Sequence, residues 1–82
     1  MKTFLAVFTK EKLPDKEAAQ LKHYTFNTEK DIKIGDLIQS DRYNTPIQVF
    51  SIFDESKKFV NVVTGELSDK RVNNRFVEIV VV

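Results

Sequence analysis

The fold is decided by Tyr24-Thr25-Phe26-Asn27-Thr28, then Asp31-Ile32-Lys33-Ile34-Gly35-Asp36-Leu37-Ile38, and then Ile47-Gln48-Val49-Phe50-Ser51-Ile52-Phe53-Asp54. The first segment alternates aromatic and polar residues, which is the period-2 pattern of a half-buried strand. The second contains a Gly-Asp turn that leads into another short strand, and the third predicts a longer strand. Short strands joined by tight turns in this way are typical of small β-barrels.

The third segment changes its apolar phase part-way along. Ile47 and Val49 share one parity, whereas Phe50 and Ile52 share the other. Because successive side chains of a strand point to opposite faces, an unbroken strand cannot direct both pairs at one core. We therefore expect a β-bulge or a strong bend within residues 47–54.

The flanking regions predict further strands. Lys2 to Thr9 is apolar without alternation, so we expect a central strand that is covered on both sides. Residues 13–22 contain Pro14 and several good helix formers, and they predict a short helical turn or a long loop. Residues 59–63 and 76–82 predict two more strands, whereas residues 67–74 leave the choice between strand and helix open.

Together these elements predict a mainly all-β chain. We expect one small, strongly bent antiparallel barrel of five to six strands, spanning residues 1–82 as a single domain. Gly35 is expected to take a positive φ or to permit a sharp bend, with Ile32 and Ile34 as buried anchors before it. The predicted core consists of Phe4, Phe8, Phe26, Ile34, Leu37, Val49, Ile52, Val60 and Ile79.

The composition argues against several classes of protein. The chain has no cysteine, so it has no disulfides, no thiolate nucleophile and no Cys-ligated zinc, and a reducing compartment is favoured. The apolar run Phe4–Phe8 is too short for the core of a signal peptide, and no run approaches the ~20 apolar residues that a bilayer helix needs. We therefore expect a cytoplasmic protein with no membrane partner.

No catalytic or metal-binding pattern emerges from the residues. His23 is the only histidine, and no nucleophile or orienting carboxylate can be assigned to it, so we interpret it as a surface or strand-edge residue. The spacing of the acidic residues does not match a calcium loop. Gly35 and Gly65 are single glycines rather than a phosphate-binding run. We expect no enzymatic activity, no cofactor, no metal and no small-molecule substrate.

Charge is unevenly distributed along a chain whose formal net charge is +1. Residues 36–56 carry one Arg against four acids, whereas residues 57–75 carry five cations against two acids. Cations neutralise phosphates, while amides and exposed rings contact bases. Binding of DNA or RNA would therefore use Lys57, Lys58, Lys70, Arg71 and Arg75, with Arg42, Tyr43 and Asn73 as neighbours. Charged hairpin tips also serve solubility and protect strand edges, and this alternative stays open.

The C-terminal strand suggests a second class of partner. Val77, Ile79 and Val81 would share one face, with Val80 and Val82 on the other. An apolar edge strand can pair with another protein or with a second copy of the chain, whereas a strand that closes its own barrel has no free edge. A nucleic-acid module predicts salt-sensitive binding, and a protein-interaction or self-assembling module predicts an apolar surface that is indifferent to salt.

A resemblance accompanies three of these segments. The order Lys22-His23-Tyr24-Thr25-Phe26, Ile34-Gly35-Asp36-Leu37-Ile38 and Ile47-Gln48-Val49-Phe50-Ser51-Ile52 resembles small SH3-like barrel proteins encoded by phages and mobile elements of Gram-positive bacteria. It is also similar to the N-terminal DNA-binding region of the primosomal replication helicase. The resemblance covers about residues 22–54 and rests on an aromatic pair and a Gly-Asp turn. It implies an SH3-like barrel and a non-enzymatic accessory module associated with nucleic acid.

Overall fold

Eight strands and one helix make up the chain in the computed structural model, which describes residues 1–82. Strands contain 38% of the residues and the helix 7%, so the prediction of a mainly β chain is confirmed. The elements are β1 (Lys2–Phe8), α1 (Asp15–Gln20), β2 (Tyr24–Thr28), β3 (Leu37–Ile38), β4 (Ile47–Phe53), β5 (Phe59–Asn61), β6 (Leu67–Ser68), β7 (Phe76–Glu78) and β8 (Val80–Val81).

Five strands form a strongly curled sheet with the shape of half a barrel. Their order is β3-β4-β1-β2-β8. β1 lies at the centre, antiparallel to β2 and β4, as its unbroken apolar run predicts. β8 pairs with β2 in parallel. The remaining strands form a second, three-stranded sheet in the order β6-β5-β7, which we call the small sheet.

Phe50 forms the bulge that the change of phase in β4 predicts. Leu5 lies opposite Ser51, and Ala6 lies opposite Val49, so that Phe50 has no partner in β1. The extra residue shifts the alternation by one position, which allows Val49 and Ile52 to face the same core. The prediction of a bulge is confirmed.

The Gly-Asp turn has the geometry that its sequence indicates. Gly35 has a φ of +94°, which glycine adopts without the clash that a Cβ would cause. The Asp36 N–H donates to the Lys33 carbonyl at 3.0 Å, and Asp36 Oδ2 accepts from the Lys33 N–H at 2.8 Å. The Gly35 N–H then donates to the Val49 carbonyl at 2.8 Å, so the turn is fastened to β4.

The main core lies inside the curled sheet. Of the expected core residues, Phe4, Phe26, Val49 and Ile79 are buried, and Phe8, Ile52 and Val60 are half-buried. The buried residues that pack together in this core are Phe4, Ala6, Phe26, Ile32, Ile47 and Val49.

For Ile34 and Leu37 the core prediction is wrong, since their side chains are 64% and 41% exposed. Ile34 lies inside the tight turn before Gly35, where the chain reverses at the surface. β3 is an edge strand of only two residues, in which Ile38 packs against the core. Its neighbour Leu37 therefore points to the opposite, outer face.

The predicted strand over residues 76–82 is divided at Ile79. The Ile79 N–H donates to the Lys58 carbonyl at 2.8 Å, in the small sheet, and the Val82 N–H donates to the Asn27 carbonyl at 2.8 Å, in the curled sheet. Because the chain changes sheets here, Ile79 is buried while Val77 and Val81 are exposed. The prediction that these three share one face is wrong, although Val82 and Val80 do pack together against the core.

Residues 13–22 contain one short helix, α1. This is the first of the two forms predicted for the segment, a short helical turn or a long loop. A buried amide holds the start of this segment in place. The Leu13 N–H donates to Gln48 Oε1 at 2.6 Å, and Gln48 Nε2 donates to the Leu13 carbonyl at 2.8 Å.

No helix in the chain has the length and apolar character needed to cross a bilayer.

Candidate functional site

The five cations singled out from the sequence all lie on connections of the small sheet. Lys57 and Lys58 precede β5, whereas Lys70, Arg71 and Arg75 lie between β6 and β7. Lys57, Lys58, Lys70 and Arg71 lie near one end of the small sheet, where the Lys58 N–H donates to the Ser68 carbonyl at 3.3 Å and Arg71 lies over Phe59. Arg75 lies at the other end, where its carbonyl accepts from the Val62 N–H at 2.9 Å.

Lys57 differs from the other four because its charge is used within the protein. Its Nζ lies 3.2 Å from Glu55 Oε2 and 3.4 Å from Asp69 Oδ1. Hydrogen bonds to Glu55 and then to Asp69 raise the pKa of the Lys57 ammonium above its usual value. Its side chain is only 24% exposed, so Lys57 offers little free charge to a ligand.

The main chain of Lys57 also takes part in a ring of three hydrogen bonds. Thr3 Oγ1 donates to Asn27 Oδ1 at 2.6 Å, Asn27 Nδ2 donates to the Lys57 carbonyl at 2.8 Å, and the Lys57 N–H donates to Thr3 Oγ1 at 2.6 Å. This Thr3–Asn27–Lys57 ring joins β1, β2 and the β4–β5 connection. The ring therefore fixes the main chain of Lys57, the residue directly before the cation Lys58.

The other four cations are exposed and take part in no ion pair, because both salt bridges of the structure belong to Lys57. The Arg71 guanidinium lies over the ring of Phe59, 5.7 Å from its centroid. Asn73 Oδ1 accepts from the Arg75 N–H at 2.9 Å. The side-chain oxygen of Asn73, which the sequence predicts as a neighbour of the nucleic-acid site, therefore stabilises the loop. Lys70, Arg71 and Arg75 are thus presented on a loop with its own internal hydrogen bonds.

A groove of about 610 Å³ lies between the small sheet and one end of the curled sheet. We call it the intersheet groove. The curled sheet and the β3–β4 connection contribute Leu5, Phe8, Tyr24, Thr25, Phe26, Tyr43 and Val80, and the small sheet and its β5–β6 turn contribute Val60, Asn61, Val62, Gly65, Val77 and Glu78, with Lys22 and His23 preceding β2.

Four aromatic rings pack together along one wall of this groove. The ring of Phe8 lies 5.2 Å from that of Tyr24 and 5.1 Å from that of Tyr43, in both cases edge to face. Phe26 completes the group, 5.9 Å from Tyr43. Tyr24 remains 40% exposed, and Lys22 Nζ lies 5.3 Å from the centroid of its ring.

The sequence predicts Tyr43 as a site residue and Tyr24 only as a strand residue. The alternation that puts Tyr24 on the same face as Phe26 is visible in the sequence. The meeting of Tyr24 and Tyr43 at Phe8 is not, because it depends on how the β3–β4 connection folds back over β1 and β2.

One of the four free cations, Arg75, is bonded through its main chain to the lining of this groove. Val60 and Val77 lie opposite each other in the small sheet and both line the groove. Lys58 and Arg75 flank these strands, in a bend and a turn respectively, and neither is among the residues that line the groove. The Arg75 carbonyl also accepts from the N–H of Val62, another lining residue, at 2.9 Å.

Arg42 and His23 have different surroundings. Arg42 lines another cleft, of about 150 Å³, together with Val81 and Val82, so the fold separates it from its neighbour Tyr43. His23 immediately precedes β2, its ring centroid is 4.4 Å from that of Phe50, and its Nε2 is buried without a hydrogen-bond partner. No group of three or more His, Asp or Glu side chains is placed to hold a metal ion.

Comparison with protein-family models, curated proteins and solved structures finds no match for this chain. The resemblance of residues 22–54 to SH3-like barrel proteins and to the primosomal helicase therefore stays a prediction.

Proposed function

We propose that this protein is a non-enzymatic accessory module that binds nucleic acid, DNA or RNA, through the basic residues of the small sheet. The contacts would be made by Lys58, Lys70, Arg71 and Arg75, with Lys57 supporting the loop rather than contacting phosphate. The resemblance to small barrel proteins of phages and mobile elements points to the same kind of function.

The observation that carries the proposal is that exposed cations without an ion pair are gathered on the connections of one small sheet, with Lys58, Lys70 and Arg71 near the same end of it. A chain with 13 basic and 12 acidic residues could neutralise its cations locally, as it does at Lys57. Lys58, Lys70, Arg71 and Arg75 are instead exposed without an ion pair. Clustered free cations on one part of a surface are typical of phosphate-binding proteins.

The proposal is tested by titrating labelled single-stranded and duplex oligonucleotides with the protein at two salt concentrations. The variant carries Lys70→Gln, Arg71→Gln and Arg75→Gln. We expect it to bind more weakly and with a shallower salt dependence. The slope of log K against log salt should change by about 0.9 for each phosphate that the variant no longer neutralises on duplex DNA, and by about 0.7 on a single strand.

A variant with Lys10→Gln, Lys16→Gln and Lys33→Gln is the matched control, because it removes the same charge from exposed lysines outside the small sheet. It should keep the salt slope of the unmodified protein. Equal reductions of affinity in the two variants would show that only net charge matters, and absence of binding at low salt would overturn the proposal.

A second candidate function, a protein-interaction or self-assembling module, is favoured by the position of β8. This apolar two-residue strand is the last in the curled sheet, so that no strand pairs beyond it. Edge strands of this kind can accept another strand. Binding through this edge would be insensitive to salt, which distinguishes it from the first candidate.

A further inference from the structure

We infer that the intersheet groove receives unpaired bases of a single-stranded nucleic acid, which stack on Tyr24 and Tyr43. The inference rests on the proposed function and assigns it a ligand class. It adds the aromatic wall of the groove to the basic residues as a contact surface for the ligand.

The aromatic wall supports this assignment. Both tyrosines of the chain line the groove, and Phe8 holds them on either side through edge-to-face contacts. Tyr24 is exposed and Tyr43 half-buried, and rings supported in this way lose little freedom when a base stacks on them. Stacking does not depend on base identity, because every base has a π-face.

A cation stands beside the exposed aromatic ring. Lys22 lies at the aromatic wall, Glu78 is the one acidic residue in the lining, and Arg75 adjoins the lining through the hydrogen bond from the Val62 N–H to its carbonyl. Cations beside aromatic rings are the combination that single-strand-binding surfaces use to hold backbone and bases together.

The Lys22 side chain would occupy one position in the free protein and another in the complex. Its Nζ now covers the ring of Tyr24 at 5.3 Å, and the residue is exposed. A base that stacks on Tyr24 takes the place of this ammonium, which then lies within reach of a phosphate. The positive charge stays at the site while the ring becomes available.

The shape of the groove favours a single strand over a duplex. A volume of about 610 Å³ lies within the ~300–1,000 Å³ range of clefts that enclose small ligands. Base edges of a duplex are read by an element that inserts into the DNA groove, and a concave surface cannot do so. Bases that have left the stack can enter it.

The binding test uses fluorescence anisotropy with a labelled oligothymidylate and with a hairpin duplex of similar length. Tyr24→Leu should weaken single-strand binding by about 5- to 150-fold, the equivalent of about 1–3 kcal/mol per stacked base. Tyr24→Phe keeps the ring and should bind almost normally. Ile34→Ala, an exposed apolar change outside the groove, is the matched control.

Intrinsic fluorescence gives a second readout on the unmodified protein. The chain has two tyrosines and no tryptophan, so its emission comes entirely from the lining of the groove. We expect quenching by unlabelled single strands, after correction for absorbance with free tyrosine amide, and no comparable quenching by the duplex. This measurement decides the question even if Tyr24→Leu fails to fold.

The outcomes separate this inference from the function on which it rests. Tight binding that depends on the basic residues, with no tyrosine quenching and no effect of Tyr24→Leu, would overturn the groove assignment and leave the proposed function standing. Equal effects of Tyr24→Leu on single strand and duplex would also overturn it. Failure to bind any oligonucleotide at low salt would remove both, and the groove would then be interpreted as a site for a protein partner.

Discussion

Thr3 Oγ1 donates a 2.6 Å hydrogen bond to Asn27 Oδ1 across 24 positions of sequence, and both side chains are buried. Because Thr3 Oγ1 also accepts from the Lys57 N–H, one hydroxyl connects two neighbouring strands to the loop before the small sheet. The cationic surface therefore depends on a polar contact inside the protein.

Thr3→Val should destabilise the protein by about 1–3 kcal/mol, because an isosteric methyl leaves Asn27 Oδ1 and the Lys57 N–H without a partner. Urea unfolding measures the change. Thr3→Ser keeps the hydroxyl and should cost less. If Thr3→Val cost less than Thr3→Ser, the ring would not contribute to stability.

Gly35→Val should destabilise the protein by more than about 1–2 kcal/mol, the approximate cost of a left-handed conformation for a residue with a Cβ. The strain comes from the backbone, since the nearest atom to an added Cβ is Lys12 Cε, on a flexible side chain at 3.4 Å. Gly35→Asn should cost less, because Asn tolerates positive φ better. Thermal melts in which the two variants agreed would contradict this account.

Phe4→Ala should cost about 3–5 kcal/mol, because Phe4 is fully buried at the centre of the core. Ile34→Ala should change stability by no more than about 0.5 kcal/mol, as an exposed substitution does. Together the two variants test whether Phe4 belongs to the core and Ile34 lies outside it. Similar decreases in stability on chemical denaturation would restore Ile34 to the core.

Lys57 should give the protein an alkaline-sensitive contribution to stability. Its pKa is raised above the ordinary 10.5 by Glu55 and Asp69, so the contribution is present below pH 10.5 and is lost as pH rises through the folded-state pKa. The difference in Tm between the protein and Lys57→Gln should therefore shrink above that pH.

High salt should also reduce that difference, since the two carboxylate side chains are largely exposed. Lys58→Gln is the control, because Lys58 forms no ion pair. A difference in Tm that stayed constant with pH and salt would mean that Lys57 acts through its aliphatic stem.

Val81→Lys should leave the fold intact and block any pairing through the edge of β8, because Val81 is 43% exposed and lysine protects strand edges. Val80→Lys should lower the Tm instead, since Val80 packs against the core. Light scattering on Val81→Lys tests self-assembly directly. An oligomer that survives this change does not use the β8 edge.

Local patterns were sufficient for much of the fold. The central position of β1, the short helix as one of two alternatives, the bulge in β4 and the turn at Gly35 all follow from parity, propensity and turn chemistry over a few residues. The helix, the bulge and the turn are governed by sterics and hydrogen bonds between near neighbours, and the position of β1 is marked by its unbroken apolar run, so each signal is present in the sequence.

The sequence by itself determined a small, mainly β chain with a basic segment over residues 57–75, because composition and local periodicity can be read along the chain without its fold. Only the tertiary structure decided that Ile34 is exposed, that Ile79 passes from one sheet to the other and that Asp69 reaches Lys57. It likewise decided that Tyr24 and Tyr43 face a common groove. These relationships join residues that are distant in sequence, and they arise from how the curled sheet closes on the small sheet, which no local pattern encodes.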